Sequence, residues 1–485
     1  MSKINSKIEN VYRLSPLQEG MLYYNLVDNS SSAYSLQNLL SVKYNMDHDI
    51  LKQALSLLSE RFSVLRTAFV YEGMKEILQV VLKNRDPEVN YIDITDYDEA
   101  LKKEKVDELV LKDLQRGYDL KEDSLIRVLH IKYASGEDKI LFSLHHIIVD
   151  GWCINTLFQK FLYYYSKLSN GETYEKISQE VAAEKNSSCE YSEYIKWLQR
   201  QDQSKALEYW KNELEGYDSD AEIKALNKPE PSVEQMRELY GETDAETTEK
   251  IIRITEKNES TINVAAEAAV GILLQRYTGS NDVVFGKVVS GRNAPINGIE
   301  DMVGLFVNTI PVRVCVDEKI TVSELIKIQQ EKGTESTNYD YCSLAEIQSK
   351  IAQGSELIKV LYVFENYASG AFTDSEDTDS LIKVESTREQ TNYGITISAF
   401  IKNDRLSFKI MYDPNHFCGD EVQHIMDTLI KICGEIAEKP DCRVNELEIV
   451  NESEKNAWQK YNETEEVIEE TSLLELVKRQ CEKAP

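Results

Sequence analysis

Histidine is scarce in this chain, with six in 485 residues. Proline (nine) and glycine (twenty) are also few, which excludes a collagen-like or low-complexity chain. No two glycines are adjacent, and the eight cysteines (153, 189, 315, 342, 418, 433, 442 and 481) include no Cys-x-x-Cys pair. Scattered in this way they read as reduced thiols, not as a disulfide framework or a zinc ribbon. Positive charge is outnumbered, 55 basic against 84 acidic residues, for a net charge of −29. That balance disfavours nucleic acid and anionic membranes as partners. No run approaches the roughly eighteen uninterrupted apolar residues of a membrane span. The opening residues Met1 to Lys7 lead into polar sequence instead of the apolar core of a signal peptide. The expectation is a cytoplasmic monomer that binds neither nucleic acid nor membrane.

What is present is better read locally. Two of the six histidines are adjacent, in Ser143-Leu144-His145-His146-Ile147-Ile148-Val149-Asp150-Gly151-Trp152. Lys139 to Leu144 reads as a buried strand, and Ile154, Leu157, Phe158, Phe161, Leu162 and Tyr165 recur at a helical period. The histidines therefore sit at a strand end, before a turn opened by Asp150-Gly151, where an imidazole is held firmly with one face open. The plainer readings are a structural pair or a metal site. Zinc needs three or four ligands at characteristic spacings, and histidines 48, 130, 416 and 424 fall into none.

At 485 residues the chain exceeds one ordinary core, and one order of elements recurs in both halves. Leu51, Ala54, Leu55 and Leu58 form a helical stripe, followed by a strand-like run from Val64 to Tyr71. Later, Ser260 is placed to cap a helix with stripe Ile262, Ala265, Ala266, Ala269, Val270 and Leu273. Tyr277-Thr278-Gly279 ends that helix, and a strand begins at Asp282. The polar stretch Ser169 to Ser188 is the candidate hinge between two α/β lobes. Ala368 to Ser380 reads as an acidic loop, and the tail from Asn451 as a linker. Asp282 to Arg292 and Gly298 to Arg313 read as two strands around a Gly291-Arg292 loop, in the plain case a hairpin whose arginine forms a salt bridge.

Taken together and in order, these segments resemble the condensation domain of nonribosomal peptide synthetases, of the chloramphenicol acetyltransferase-like superfamily. Tyr12 to Leu22 looks like the family's first motif, Arg61 to Phe69 like the second, and His145 to Trp152 is its His-His-x-x-x-Asp-Gly signature. Tyr191 to Trp197 is similar to the fourth and Val303-Gly-Leu-Phe-Val-Asn-Thr309 to the fifth. Asp340-Tyr341 with Leu344 to Ile347 stands where the sixth belongs, and Thr391-Asn392-Tyr393-Gly394 near the seventh. Trp458 to Pro485 looks like the linker into an adenylation domain. Phe62 replaces a customary histidine and Gly394 a customary proline. No Gly-Gly-x-Ser carrier sequence occurs, so the resemblance implies substrates delivered by other domains.

The resemblance implies an α/β fold of two chloramphenicol-acetyltransferase-like lobes, residues 1–175 and 176–450, forming a V-shaped pseudo-dimer with the active site at their junction and residues 451–485 as linker. It implies amide-bond formation between a donor acyl or peptidyl thioester and an acceptor aminoacyl thioester, both on the 4'-phosphopantetheine of partner carrier proteins, with no cofactor or metal bound by this chain. His146 is the ring placed in the tunnel, as base or positioning group, with His145 packing inward and the Gly151 amide a donor to the oxyanion. Asp150 either polarises His146 or, the favoured reading, forms a buried salt bridge with Arg292, Arg66 being the alternative partner. Trp152 reads as a wall residue, Cys153 as a small buried thiol, and Asn308 and Thr309 as tunnel or motif neighbours. The resemblance implies the subtype that joins an L-donor to an L-acceptor. An epimerisation domain of the same fold, a non-catalytic recruitment platform and a coenzyme A-dependent acyltransferase are the competing readings.

Overall fold

The computed structural model describes residues 7–27, 33–73, 76–232, 236–317, 319–351, 357–365, 381–450, 452–464 and 472–484. The acidic stretch 368–380 lies outside them. Contacts divide the chain into two compact units, residues 1–447 and 448–485. The first unit opens with β1 (Ile8–Arg13), α1 (Pro16–Val27), β2 (Ser35–Val42), α2 (His48–Arg61), β3 (Thr67–Val70) and β4 (Leu78–Leu82). Next come β5 (Glu88–Asp93), α3 (Glu99–Arg116), β6 (Ile126–Ala134), β7 (Glu137–His145), α4 (Gly151–Ser169), α5 (Tyr174–Ser187), α6 (Tyr191–Leu198) and α7 (Gln203–Glu213). Then follow β8 (Arg237–Glu242), α8 (Ala245–Lys257), α9 (Ile262–Thr278), β9 (Asp282–Val289), β10 (Asn308–Cys315), α10 (Val322–Ser336) and α11 (Leu344–Ile351). The unit closes with β11 (Val360–Phe364), β12 (Ile382–Arg388), β13 (Ile395–Lys402), β14 (Arg405–Tyr412) and α12 (Gly419–Glu438). The second unit contains α13 (Glu452–Asn462) and α14 (Leu473–Lys483).

Among the described residues three sheets form, ordered β12-β2-β7-β6-β5, β10-β9-β11-β13-β14-β8 and β1-β4-β3. At the centre of the first, β7 is apolar from Ile140 to Leu144 except for Ser143, and it is buried along nearly its whole length between β2 and β6. Its Phe142 ring meets Phe158 and Phe161 of α4 edge-on, with centroids 4.9 and 5.2 Å apart. Full burial of such side chains contributes roughly 1.5–3 kcal/mol each. That packing fixes the strand and the helix on either side of the histidine turn. Asp150 caps α4 by accepting from the Cys153 amide.

Three local readings differ in the structure. The run from Val64 begins as a 3-10 turn, Ser63–Arg66, because the buried Arg66 folds back to donate to carbonyls of Ser59, Leu82 and Lys83, so the strand starts at Thr67. Thr261, not Ser260, caps α9, while the Ser260 hydroxyl donates to the Thr255 carbonyl. The proposed hinge 169–188 is mostly helix: Thr173 caps α5, and Ile177 and Val181 are buried in the main core. The tail, read as a linker, includes α13 and α14. One connection carried no sequence signal. β12, more than 230 residues after β7, pairs antiparallel with β2 and completes the edge of the sheet that contains His145.

Candidate active site

β7 ends at His145, and His146–Ile148 form one 3-10 turn before Asp150. The turn is pinned at both ends. The His146 amide donates to the Tyr34 carbonyl at 2.7 Å, and the buried Gln18 side chain of α1 donates to the Ile147 carbonyl at 2.8 Å. Tyr34 itself has φ +66°, a left-handed conformation that is costly outside glycine. It is held there by donation from its amide to the Gln390 carbonyl and from its hydroxyl to Asn392 Oδ1 at 2.5 Å.

The two rings have separate environments. His145 is buried, accepts from the Ile147 amide at Nδ1 and packs edge-on against Tyr118. Burial, then the neighbouring His146 and Arg127, push its pKa down to about 3, so the ring is neutral. It is absent from the wall of the cavity that His146 borders. His146 does border a cavity of about 180 Å³, whose wall includes Leu17, Met21, Val288, Leu361 and Phe364. Its Nδ1 is buried with no hydrogen-bond partner among the described residues, so the chemistry of the ring runs through Nε2. Nε2 lies 3.1 Å from Glu389 Oε1. Burial pulls the imidazole pKa down, but the hydrogen bond and charge of Glu389, with Asp150, more than offset it and leave it above the ordinary value. The Glu389 carboxyl is in turn held below its ordinary value: burial pushes it up, and His146 and Lys409 outweigh that.

Asp150 makes no hydrogen bond to His146 among the described residues. Its Oδ1 accepts from Arg292 Nη2 (3.2 Å) and from the amide (3.3 Å) and thiol (3.1 Å) of Cys153, and its Oδ2 accepts from the Phe306 amide at 3.0 Å. Arg292 also donates to the carbonyls of Ile299 and Met302 and stacks over Phe306, 4.1 Å from the ring centroid. The carboxylate thus joins the histidine turn to the β9–β10 loop. Arg66, the other candidate partner, is committed to Glu9 at 2.6 Å and to the carbonyls of Ser59, Leu82 and Lys83. Burial, then the Asp150 charge, push the Cys153 thiol up, so it is a packed donor and no nucleophile.

Gly151 and Trp152 both border the cavity at the start of α4, where main-chain N–H groups lack intrahelical acceptors. Trp152 is 41% exposed and donates to the Glu300 carbonyl. Thr309 borders the cavity, whereas Asn308 is buried and donates to the carbonyls of Asp340 and Cys342, bracing the floor from outside. Sequence reading missed Glu389, Gln18 and Tyr34. Gln18 lay within the first motif, but nothing marked Glu389, 243 positions from its partner. Among the described residues no group of three or more His, Cys, Asp or Glu is arranged to hold a metal, and no helix is long and apolar enough to cross a membrane.

Gly291 positions Arg292. Its φ is +63°, and a methyl group there would run into the Phe306 carbonyl. Gly291→Ala is expected to lower stability by at least about 2 kcal/mol, through left-handed strain and overpacking. Chemical denaturation reads the loss, and an unchanged midpoint would contradict the close approach.

Known proteins match this chain over most of its length. The Condensation domain family model matches residues 8–458. The chain is 35% identical to tyrocidine synthase 3 of Brevibacillus parabrevis, over 100% of this chain and 7% of that protein. Identity is 31% both to bacitracin synthase 1 of Bacillus licheniformis (99% of this chain, 9% of that protein) and to gramicidin S synthase 2 of Brevibacillus brevis (92% and 10%). The chain therefore spans a tenth or less of each of these proteins. In fold it resembles a four-domain nonribosomal peptide synthetase (TM-score 0.74, 17% identity, 93% of this chain and 34% of that one). It likewise resembles the condensation domain of a monacolin K polyketide synthase (TM-score 0.70, 17% identity, 90% and 100%). With the family model spanning all but the ends of a chain whose histidine turn borders a cavity, the chain belongs to the condensation-domain family of nonribosomal peptide synthetases.

Proposed function

We propose that this chain forms an amide bond between a donor acyl or peptidyl thioester and an acceptor aminoacyl thioester, both presented on pantetheine arms of carrier proteins, with an L-configured donor and acceptor. The observation that carries this reading is the single imidazole nitrogen, His146 Nε2, offered to a largely apolar cavity beside a carboxylate. In this reading residues 1–175 and 176–450 are the two lobes, 451–485 lead to an adenylation domain, and the protein works in the cytoplasm.

A thioester is already activated, so no covalent nucleophile is required. The needs are a deprotonated amine, alignment of two tethered reactants and stabilisation of a tetrahedral oxyanion. Alignment converts an encounter of two substrates into an effectively intramolecular step, worth up to about 7–11 kcal/mol. His146 takes the proton from the incoming amine. The Gly151 amide, at the first position of α4, is the donor suited to the developing oxyanion. Asp150 and Arg292 act one step back, holding the turn in place.

The test is a single-turnover reaction with two separately loaded carrier proteins. Dipeptidyl thioester is expected on the acceptor carrier, formed faster from an L- than from a D-configured donor. Exchange of the donor Cα hydrogen without condensation would identify an epimerisation domain. Neither product nor exchange would identify a docking platform, and either outcome would overturn the proposal.

A further inference from the structure

We propose that Glu389 receives the α-ammonium group of the acceptor substrate, and that the incoming cation takes the place of the His146 imidazolium and so frees the ring to act as base. The inference rests on the condensation reading above and names how its acceptor is held. Two carboxylates border the cavity, Asp150 and Glu389. Asp150 is fully committed, both oxygens accepting from Arg292 and, between them, from the amides of Cys153 and Phe306. Glu389 is different. One oxygen faces His146 Nε2 at 3.1 Å, the other has no hydrogen-bond partner among the described residues, and the side chain is 34% exposed.

Charge explains the exchange. Half-buried Lys409 of β14, 3.7 Å from Glu365 and 3.9 Å from Glu238, helps keep Glu389 ionised. The other charged or titratable groups around the pair are Asp150 at the start of α4, His145 at the end of β7, Arg292 from the β9–β10 loop, and Tyr34 and Tyr393 on the cavity wall. While the ring carries its second proton, carboxylate and imidazolium neutralise each other across the 3.1 Å contact. A second cation entering the apolar cavity would leave one positive charge uncompensated, so the imidazole proton departs to solvent as the ammonium binds. A primary ammonium has three N–H donors, enough to meet the carboxylate with one and Nε2 with another.

Atoms then balance as follows. The ammonium gives one proton to His146, and the amine forms the C–N bond at the thioester carbonyl. The new nitrogen sheds its surplus proton to solvent, the C–S bond breaks as C=O re-forms, and His146 protonates the departing thiolate.

The probes are the alanyl amide of aminopantetheine and its propionyl counterpart, which lacks only the amine. The wild-type protein is expected to bind the first roughly ten- to hundredfold tighter, the range for a hydrogen bond to a charged group. Glu389→Gln, with its fold checked by circular dichroism, is expected to bind both alike, and Glu389→Asp to keep part of the preference. In turnover, Glu389→Gln should raise the acceptor KM, leave the donor KM unchanged and move the pH–rate midpoint downward, which a merely structural carboxylate would not do. Equal binding of the two probes by the wild type, or a preference that survives in Glu389→Gln, overturns the proposal. Absence of dipeptidyl thioester from the wild type instead marks failure of the condensation reading, and removes this proposal with it.

Discussion

Asp150→Ala is expected to destabilise the protein by about 3–5 kcal/mol, the cost of leaving one member of a buried ion pair without its partner. The expectation follows from what the carboxylate touches. Arg292 is almost wholly buried, and its other contacts among the described residues are carbonyls, the Cys153 thiol and ring faces, none of which carries a full negative charge. The same substitution removes the cap of α4 and the acceptor of the Phe306 amide. Urea denaturation measures the loss. A double-mutant cycle separates the pair from the rest: Asp150→Leu combined with Arg292→Met should cost clearly less than the sum of the single changes, because it strands no charge. Additivity would show that the two side chains are not coupled. Lost activity in Asp150 variants is then expected to track lost structure.

His146→Ala should act on the other quantity. With Glu389 its one side-chain hydrogen-bond partner among the described residues, the ring is expected to cost little stability when removed and roughly 10²–10⁴-fold in single-turnover condensation rate. Residual rate is expected from alignment within the cavity. The pH profile supplies the sign. A base must be neutral, and in the free protein Glu389 outweighs burial and stabilises the imidazolium, raising its pKa above 6.5. Activity should therefore be low at acid pH and rise through a midpoint above 6.5 as the proton leaves. His146→Gln preserves an N–H donor and removes the titration. If the glutamine variant condenses at the native rate, the ring positions the amine and does not deprotonate it.

Local chemistry made the histidine turn legible in the sequence. A continuous apolar run before His145, a capping aspartate and a helical stripe after it all lie close together in the chain, and the structure has that strand, turn and helix in the expected places. The Gly291-Arg292 loop was legible for the same reason, with clear strands on both sides. Glu389 was not. It follows β12, a largely exposed, mostly polar strand whose apolar alternation is limited to Ile382 and Val384, and whose place beside β2 is set by pairing register with a distant segment. Tyr34 was hidden differently, because a left-handed tyrosine contradicts its own propensity and is stable only when hydrogen bonds from a distant segment impose it. The stretch 169–188 misled through composition: its polar majority concealed Ile177 and Val181, one turn apart on a single face.

The borrowed strand β12 has a consequence for biogenesis. β2, buried along nearly all its length, has one flank paired with β7 and the other waiting for a segment that leaves the ribosome some 340 residues later. Throughout that interval Leu36, Leu39, Leu40 and Val42 lie on a strand with open main-chain donors and acceptors, the kind of edge that recruits other chains. The histidine turn, made more than 230 residues before β12, is completed only when that late neighbour arrives, so translation of the second half is part of building the first.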